Sequence, residues 1–178
     1  TWELLERQIQ CNSAIRDEGL TGNWGAAIGA TLRKTDDSVK IRAAAAAAAG
    51  SDARMSGCEL PVVINSGSGN QGLTASLPVI EYAQELGADR ETLHRALLLS
   101  NLLTIHLKTG IGCLSAYCGA VSAGCAAGAA VAWLQGGDLS AVAHTLVNSL
   151  AILSGMVCDG AKPSCAAKIA CAVETGIL

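Results

Sequence analysis

Seven consecutive alanines, Ala43 to Ala49, limit this chain more than any other feature. Alanine has the highest helix propensity of all residues and little side chain to bury. A core built on it closes only where backbones approach directly, as tightly packed helices do. Phe is absent and aromatic residues make up 3% of the chain. The β-branched and aromatic clusters that build strands are scarce. The expectation is an all-α fold: a compact domain of about eight small-residue-rich helices with one Gly/Ser-rich loop. At 178 residues the chain is long enough for one domain burying about 70% of its unfolded surface. Residues 1–178 read as that single domain.

Periodicity and punctuation place the helices. Residues 1–17 form an amphipathic helix, stopping near Gly19. A turn over 21–25 leads to a helix over 24–32. After a polar break at 34–37, Ser38 is positioned to cap the alanine-rich helix, which fades at Gly50-Ser51-Asp52. The apolar run Leu60 to Ile64 is an extended segment or a buried turn; periodicity does not separate these. The next helix reaches Leu86, with Pro78 opening or kinking it. Asp89 caps a strongly apolar helix over 92–108. A small-residue helix follows over 114–134, then one capped by Asp138 and running to about Val157, and a last one from Cys165 to Glu174.

Charge and hydropathy exclude some partners. The net charge is -3, with no basic patch interleaved with aromatics, so nucleic acid is not expected. Residues 114–134 are uncharged and long enough to span a bilayer. They are mostly Ala, Gly, Ser and Cys, whereas lipid-facing surface favours Leu, Ile, Val and Phe. The central helix of a soluble bundle is the expectation, without a membrane partner. Eight cysteines in a chain this long, helical and without a signal peptide fit a reducing cytoplasm better than a disulfide scaffold.

Two stretches carry candidate chemistry. The first is Asn65-Ser66-Gly67-Ser68-Gly69-Asn70-Gln71-Gly72. Its glycines allow close backbone approach, and successive N–H groups in such a loop form an anion nest. Ser66, Ser68, Asn70 and Gln71 add neutral hydrogen-bonding groups, which suits a carboxylate or a phosphate. No Walker or dinucleotide fingerprint is present. A flexible surface turn is the alternative. The second stretch is 154–168, holding Cys158 and Cys165 around Asp159, Gly160 and Pro163. On one continuous helix these cysteines would stand about 10 Å apart along the axis. Gly160 and Pro163 instead predict a helix end and a helix start, a turn able to bring both sulfurs together. Two buried core thiols are the alternative.

Other groups are weaker signals. His94 lies in a charged first turn and is expected to be exposed, whereas His106 and His144 on apolar helices read as core histidines. Lys108, Lys162 and Lys168 are candidate carboxylate partners. No C-x-x-C pair and no Ser/His/Asp order is present.

Together Ser51-Asp52-Ala53-Arg54-Met55, the Asn65–Gly72 loop and Ser154-Gly155-Met156-Val157-Cys158-Asp159-Gly160-Ala161 resemble the serine dehydratase alpha-chain-like family. Within it they are closest to the L-cysteine desulfidase branch, and the likeness covers essentially the whole chain. The resemblance implies a [4Fe-4S] cluster held by Cys118, in its Leu-Ser-Ala-x-Cys context, by Cys158 and by Cys165. It makes bystanders of Cys11, Cys58, Cys113, Cys125 and Cys171. It implies that sulfide is eliminated from L-cysteine, leaving an aminoacrylate that decays to pyruvate and ammonia without pyridoxal phosphate. L-serine or L-threonine dehydration is the near alternative, and a non-catalytic helical or membrane-associated module with buried cysteines the distant one. The Asn65–Gln71 residues would hold the substrate carboxylate. The Gly-Cys-Thr-Glu-Pro motif associated with the base in that branch is absent here. Both chain ends read as cuts through a longer protein, so the remainder of that protein is an expected partner, beside a small amino-acid substrate. A homo-oligomer is left open.

Overall fold

In the computed structural model, residues 2–112 and 115–178 are described, and among them there are eight helices and no strand. They are α1 (Trp2–Thr21), α2 (Ile28–Thr35), α3 (Val39–Met55), α4 (Gly69–Glu85), α5 (Arg90–Ile111), α6 (Gly119–Leu134), α7 (Leu139–Ile152) and α8 (Ser164–Ile177). The all-α expectation is borne out.

Helix α3 is the hub. Every residue from Ala43 to Ala53 is buried, so the helix is enclosed on all sides, chiefly by α1, α2, α4 and α8. Small residues on those neighbours make the enclosure possible. A Cβ on Gly19 of α1 would stand 2.0 Å from the Ala49 carbonyl oxygen, and one on Gly29 of α2 2.4 Å from the Ala49 nitrogen. Helix α6 forms a second hub, with its neighbour α8 lying so close that a Cβ on Gly128 would meet the Gly176 oxygen at 2.1 Å. Larger side chains fill the space around these seams. Ile15, Leu73, Leu77, Ile80, Leu97 and Ile169 are fully buried, each contributing about 1.5–3 kcal/mol.

Several local expectations are corrected. Helix α3 does not fade at Gly50 but continues to Met55. Gly50 faces Leu73 and Leu77, and Asp52 Oδ2 accepts the Gly29 N–H at 3.0 Å, so tertiary contacts override the local breakers. Helix α2 begins only at Ile28, because Gly25 and Ala27 adopt left-handed φ values of 54° and 51°. Pro78 sits inside α4 rather than opening it. Ser100 of α5 donates to the Ala75 carbonyl at 2.6 Å, next to the Thr74 carbonyl that Pro78 deprives of its helical donor. Helix α7 stops at Ile152, short of the expected Val157. His94 is buried rather than exposed, stacked on Trp2 with ring centroids 4.9 Å apart and 2.7 Å from Glu6. His106 and His144 are exposed, not core residues.

Helix directions set up one end of the molecule. Gly124 and Gly128 of α6 meet Ala172 and Gly176 of α8 in the same order, so α6 and α8 run parallel. Gly50 of α3 faces Leu73 and Leu77 while Arg54 reaches Asn70, so α3 and α4 run antiparallel. Gln71 at the start of α4 lies against Gly119 at the start of α6. The N-termini of α4, α6 and α8 and the C-terminus of α3 therefore share one end.

Candidate functional site

The Gly/Ser-rich stretch is shorter as a loop than its composition predicts. Asn65 and Ser68 close a tight turn by exchanging backbone hydrogen bonds at 3.2 and 3.1 Å. Ser66 and Gly67 form its tip with φ values of 47° and 83°, a left-handed pair that glycine adopts readily. Gly69, Asn70 and Gln71 are not loop residues: with Gly72 they form the first turn of α4. Ser68 is the residue before that helix, and its side chain makes no capping bond. Among the described residues no side chain caps the first N–H groups of α4, which stand at the positive end of the helix dipole.

The turn is held from behind. Asn65 Nδ2 donates to the Asn101 backbone oxygen at 3.2 Å and to its Oδ1 at 2.8 Å. Asn101 and Gln8 exchange side-chain amide bonds at 2.8 and 3.1 Å. Asn12, fully buried in α1, bonds Val63, Gly72 and Ser76. Gln8, Asn12 and Asn101 belong to no motif of the sequence. Amides at helical spacing on otherwise apolar faces were the available signal. Asn65 thus anchors the turn, while Ser66 and Ser68 are half-buried, Gly67 is exposed and Asn70 and Gln71 are buried.

The cysteine-bearing segments adjoin this turn. Tyr117 pairs with Val157 in an isolated antiparallel bridge, flanked by Cys158 N–H to Ala116 O at 2.6 Å and Cys118 N–H to Met156 O at 3.3 Å. That pairing sets Cys118 and Cys158 on adjoining backbones. Cys118 immediately precedes α6, and Cys165 lies in the first turn of α8. Gly160, at φ 99°, turns the chain so that Cys165 Sγ donates to its carbonyl at 3.5 Å. Neither α6 nor α8 has a side-chain cap, unlike α5 and α7, which Asp89 and Asp138 cap. Gln71 joins the two halves of the site: a Cβ on Gly119 would stand 2.6 Å from its side-chain amide.

Lys168, one turn beyond Cys165, donates to the Val157 carbonyl at 3.1 Å and pairs with Asp159. The Asp159 carboxylate holds the Lys168 ammonium above the ordinary lysine range, with the nearby Cys118 and Cys158 sulfurs adding to it. Lys168 correspondingly holds Asp159 below the usual carboxylate range. Lys108, by contrast, is buried in α5 and makes no ion pair among the described residues. Lys162 lies exposed in the turn before α8.

All seven described cysteines are free thiols. Cys158 is exposed and Cys118 and Cys165 are half-buried, whereas burial pushes the Cys125 thiol up. Cys11 lies in α1, Cys58 in the connection after α3, and Cys171 on the exposed side of α8. Cys113 lies outside the described residues. Among the described residues no three His, Cys, Asp or Glu side chains are gathered tightly enough to hold a single metal ion. Thiolates of an iron–sulfur cluster bond different irons and so stand farther apart. Three free thiols on two adjoining segments are the donor type that such a cluster takes. No helix among the described residues is long and apolar enough to cross a membrane.

Fold and site together define a helical domain that presents free thiols and an uncapped amide-rich turn at one end. The profile of the serine dehydratase alpha chain family matches residues 1–178, and the chain belongs to that family. It is 67% identical over 177 residues to a UPF0597 protein of Desulfitobacterium hafniense, covering 99% of this chain and 41% of that relative. A UPF0597 protein of Finegoldia magna is 59% identical over 175 residues, covering 98% and 42%. One from Bacteroides thetaiotaomicron is 44% identical over 173 residues, covering 94% and 40%. The chain thus spans about two fifths of the length of these curated relatives. No solved structure matches it.

Proposed function

We propose that this chain is the cluster-bearing part of an iron–sulfur lyase that eliminates sulfide from L-cysteine, giving pyruvate and ammonia without pyridoxal phosphate. Cys118, Cys158 and Cys165 would hold a [4Fe-4S] cluster. The observation that carries the reading is the meeting of three helix N-termini, α4, α6 and α8, around those thiols and the Asn65–Gln71 turn. Helix N-termini favour anions, which suits both a thiolate-ligated cluster and an amino-acid carboxylate. When bound through three thiolates, the cluster supplies one open iron as a Lewis acid.

The chain's own residues do the rest. The first N–H groups of α4 and the Ser68 hydroxyl orient the carboxylate, while the Ser66 hydroxyl donates to Asn65 Oδ1 at 2.8 Å and stiffens the turn. Loss of the Cα proton and the Cβ–S bond forms the carbon–carbon double bond of an aminoacrylate, and water then releases ammonia to leave pyruvate. No oxidant is required. Among the described residues no side chain is identified as the base. It is assigned to the remainder of the longer protein, which makes this domain alone weakly active or inactive.

The serine dehydratase family assignment favours a second reading, with water rather than sulfide leaving from L-serine or L-threonine. Anaerobic reconstitution tests the shared part. About four iron and four sulfide per chain are expected, lost together in Cys118→Ser, Cys158→Ser and Cys165→Ser. Failure to incorporate iron, with the three variants indistinguishable from the parent, would sink it. Assaying the full-length protein for pyruvate and sulfide with each amino acid separates the two substrates.

A further inference from the structure

Among the described residues five of the seven arginines pair with a carboxylate, but Arg54 does not. It is half-buried at the end of α3, and its guanidinium lies over Gly69, the first residue of α4. A Cβ there would stand 2.3 Å from Arg54 Nε and 2.8 Å from its Cζ, so only glycine lets the cation settle on the helix start. One N–H of Arg54 Nη1 donates to Asn70 Oδ1 at 3.2 Å, and another approaches the Met55 sulfur at 4.0 Å. Both partners are neutral. A guanidinium has five donors and a planar fork matched to carboxylate, and here it stands beside uncapped N–H groups at a dipole's positive end. The arrangement is short of one anion.

A second observation lies one residue along. Gln71 is 5% exposed, and its Oε1 has no hydrogen-bond partner among the described residues. A buried acceptor left unpaired is costly. This one lies against Gly119, the residue after Cys118. An unmatched cation and an unmatched acceptor, on adjoining residues of one helix start, complement the two ends of a zwitterion.

We infer that Arg54 receives the α-carboxylate of the amino-acid substrate and that Gln71 Oε1 accepts from its α-ammonium. This rests on the amino-acid lyase reading above and deepens it. The carboxylate sits on the Arg54 fork and the α4 N–H groups, while Asn70 fixes the fork's plane. Gln71, wedged against Gly119, turns the Cα–Cβ bond toward the start of α6, where Cys118 lies. The site thereby selects free α-amino acids over their amides, esters and deaminated acids.

The test exchanges functional groups on both sides, using the full-length protein. Binding of L-cysteine, L-cysteinamide and 3-mercaptopropionate is measured by calorimetry, with KM and kcat for L-cysteine, in the parent, Arg54→Met, Arg54→Lys and Gln71→Met. The parent should prefer L-cysteine over the amide by roughly ten- to a hundredfold, the scale of a charge-assisted hydrogen bond. Arg54→Met should erase that preference while iron content stays unchanged, and Arg54→Lys should restore part of it. Gln71→Met should erase instead the preference over 3-mercaptopropionate. An equal loss for acid and amide in Arg54→Met would make Arg54 structural and overturn the inference. If L-cysteine is turned over but the preferences survive both substitutions, only this inference falls. If L-cysteine is neither bound nor turned over by the parent, the inference and the lyase reading fall together.

Discussion

The Asn12 side chain and the Val63 backbone are joined in both directions. Val63 N–H donates to Asn12 Oδ1 at 2.9 Å, and Asn12 Nδ2 returns to the Val63 carbonyl at 3.5 Å. The same Nδ2 lies 3.2 Å from the Gly72 carbonyl, so one amide from α1 fixes both the entry to the Asn65–Ser68 turn and its exit into α4. Asn12→Ala strands these backbone groups out of reach of water. It should cost about 2–4 kcal/mol and lower Tm by roughly 5–15 °C in thermal melts. A change under one degree would show that the turn holds itself.

Gly119→Ala probes the join between the two halves of the site. The three atoms nearest the added methyl all belong to the Gln71 side-chain amide, at 2.6–2.9 Å, the far end of a flexible chain. Gln71 is expected to swing aside, changing Tm little. Substrate KM in the full-length protein should rise severalfold. An unchanged KM would show that the position of Gln71 does not matter to binding.

Gly128→Ala is the scaffold counterpart. Its methyl would meet backbone, the Gly176 oxygen at 2.1 Å, so α6 and α8 must separate. Overpacking of this kind costs about 1–3 kcal/mol and should appear as a lower denaturation midpoint. Reconstituted iron content, referred to the folded fraction, should hold.

The contrast between those two glycines marks what the sequence makes legible. Alanine and glycine content predicts close helix packing, and Asp89 and Asp138 are readable as caps because a carboxylate before an apolar run has a local meaning. Pairing across the chain has no local signature. Nothing near Gly69 announces that Arg54 lies on it, and nothing near Asn65 announces Asn101 and Gln8 behind it. Glycine usually breaks helices, which predicts one loop over the whole Gly/Ser stretch. Here Gly69 and Gly72 are helical, since a Cβ on Gly72 would stand 2.0 Å from the Val63 oxygen and one on Gly69 would strike Arg54. His94 looked exposed among charges because Trp2 and Glu6, which cover it, lie far away in sequence.

Asp52 gives the fold a pH dependence. It is fully buried, and its Oδ1 has no partner while Oδ2 accepts the Gly29 N–H. Burial pushes its carboxyl above the usual carboxylate range, with the hydrogen bonds from Gly29 and Ile28 opposing. A raised folded-state pKa favours the protonated form, so Asp52's contribution to stability is full below the ordinary value of 3.8 and lost as pH rises through the folded value. Asp52→Asn should therefore flatten the stability–pH curve from about pH 4 upward. Urea melts of both proteins at several pH values would test this. Parallel curves would mean that Asp52 titrates normally.

Lys168 offers a test of how the cysteine segments are held together. Its ammonium bridges the Val157 carbonyl and the Asp159 carboxylate, tying the Cys158 segment to α8 one turn beyond Cys165. The pair is partly solvent-exposed, so its loss should move global stability little. Its effect is local, because the 156–158 segment has few other fastenings besides its pairing with residues 116–118. Lys168→Met should speed amide exchange at Cys118 and Cys158 in the metal-free protein while leaving α3 and α4 unchanged. Iron incorporation on reconstitution should also fall. Lys168→Arg, which keeps the charge and its donors, should recover most of both. Unaltered exchange at Cys118 and Cys158 together with full iron loading would show that the backbone pairing alone sets the thiols.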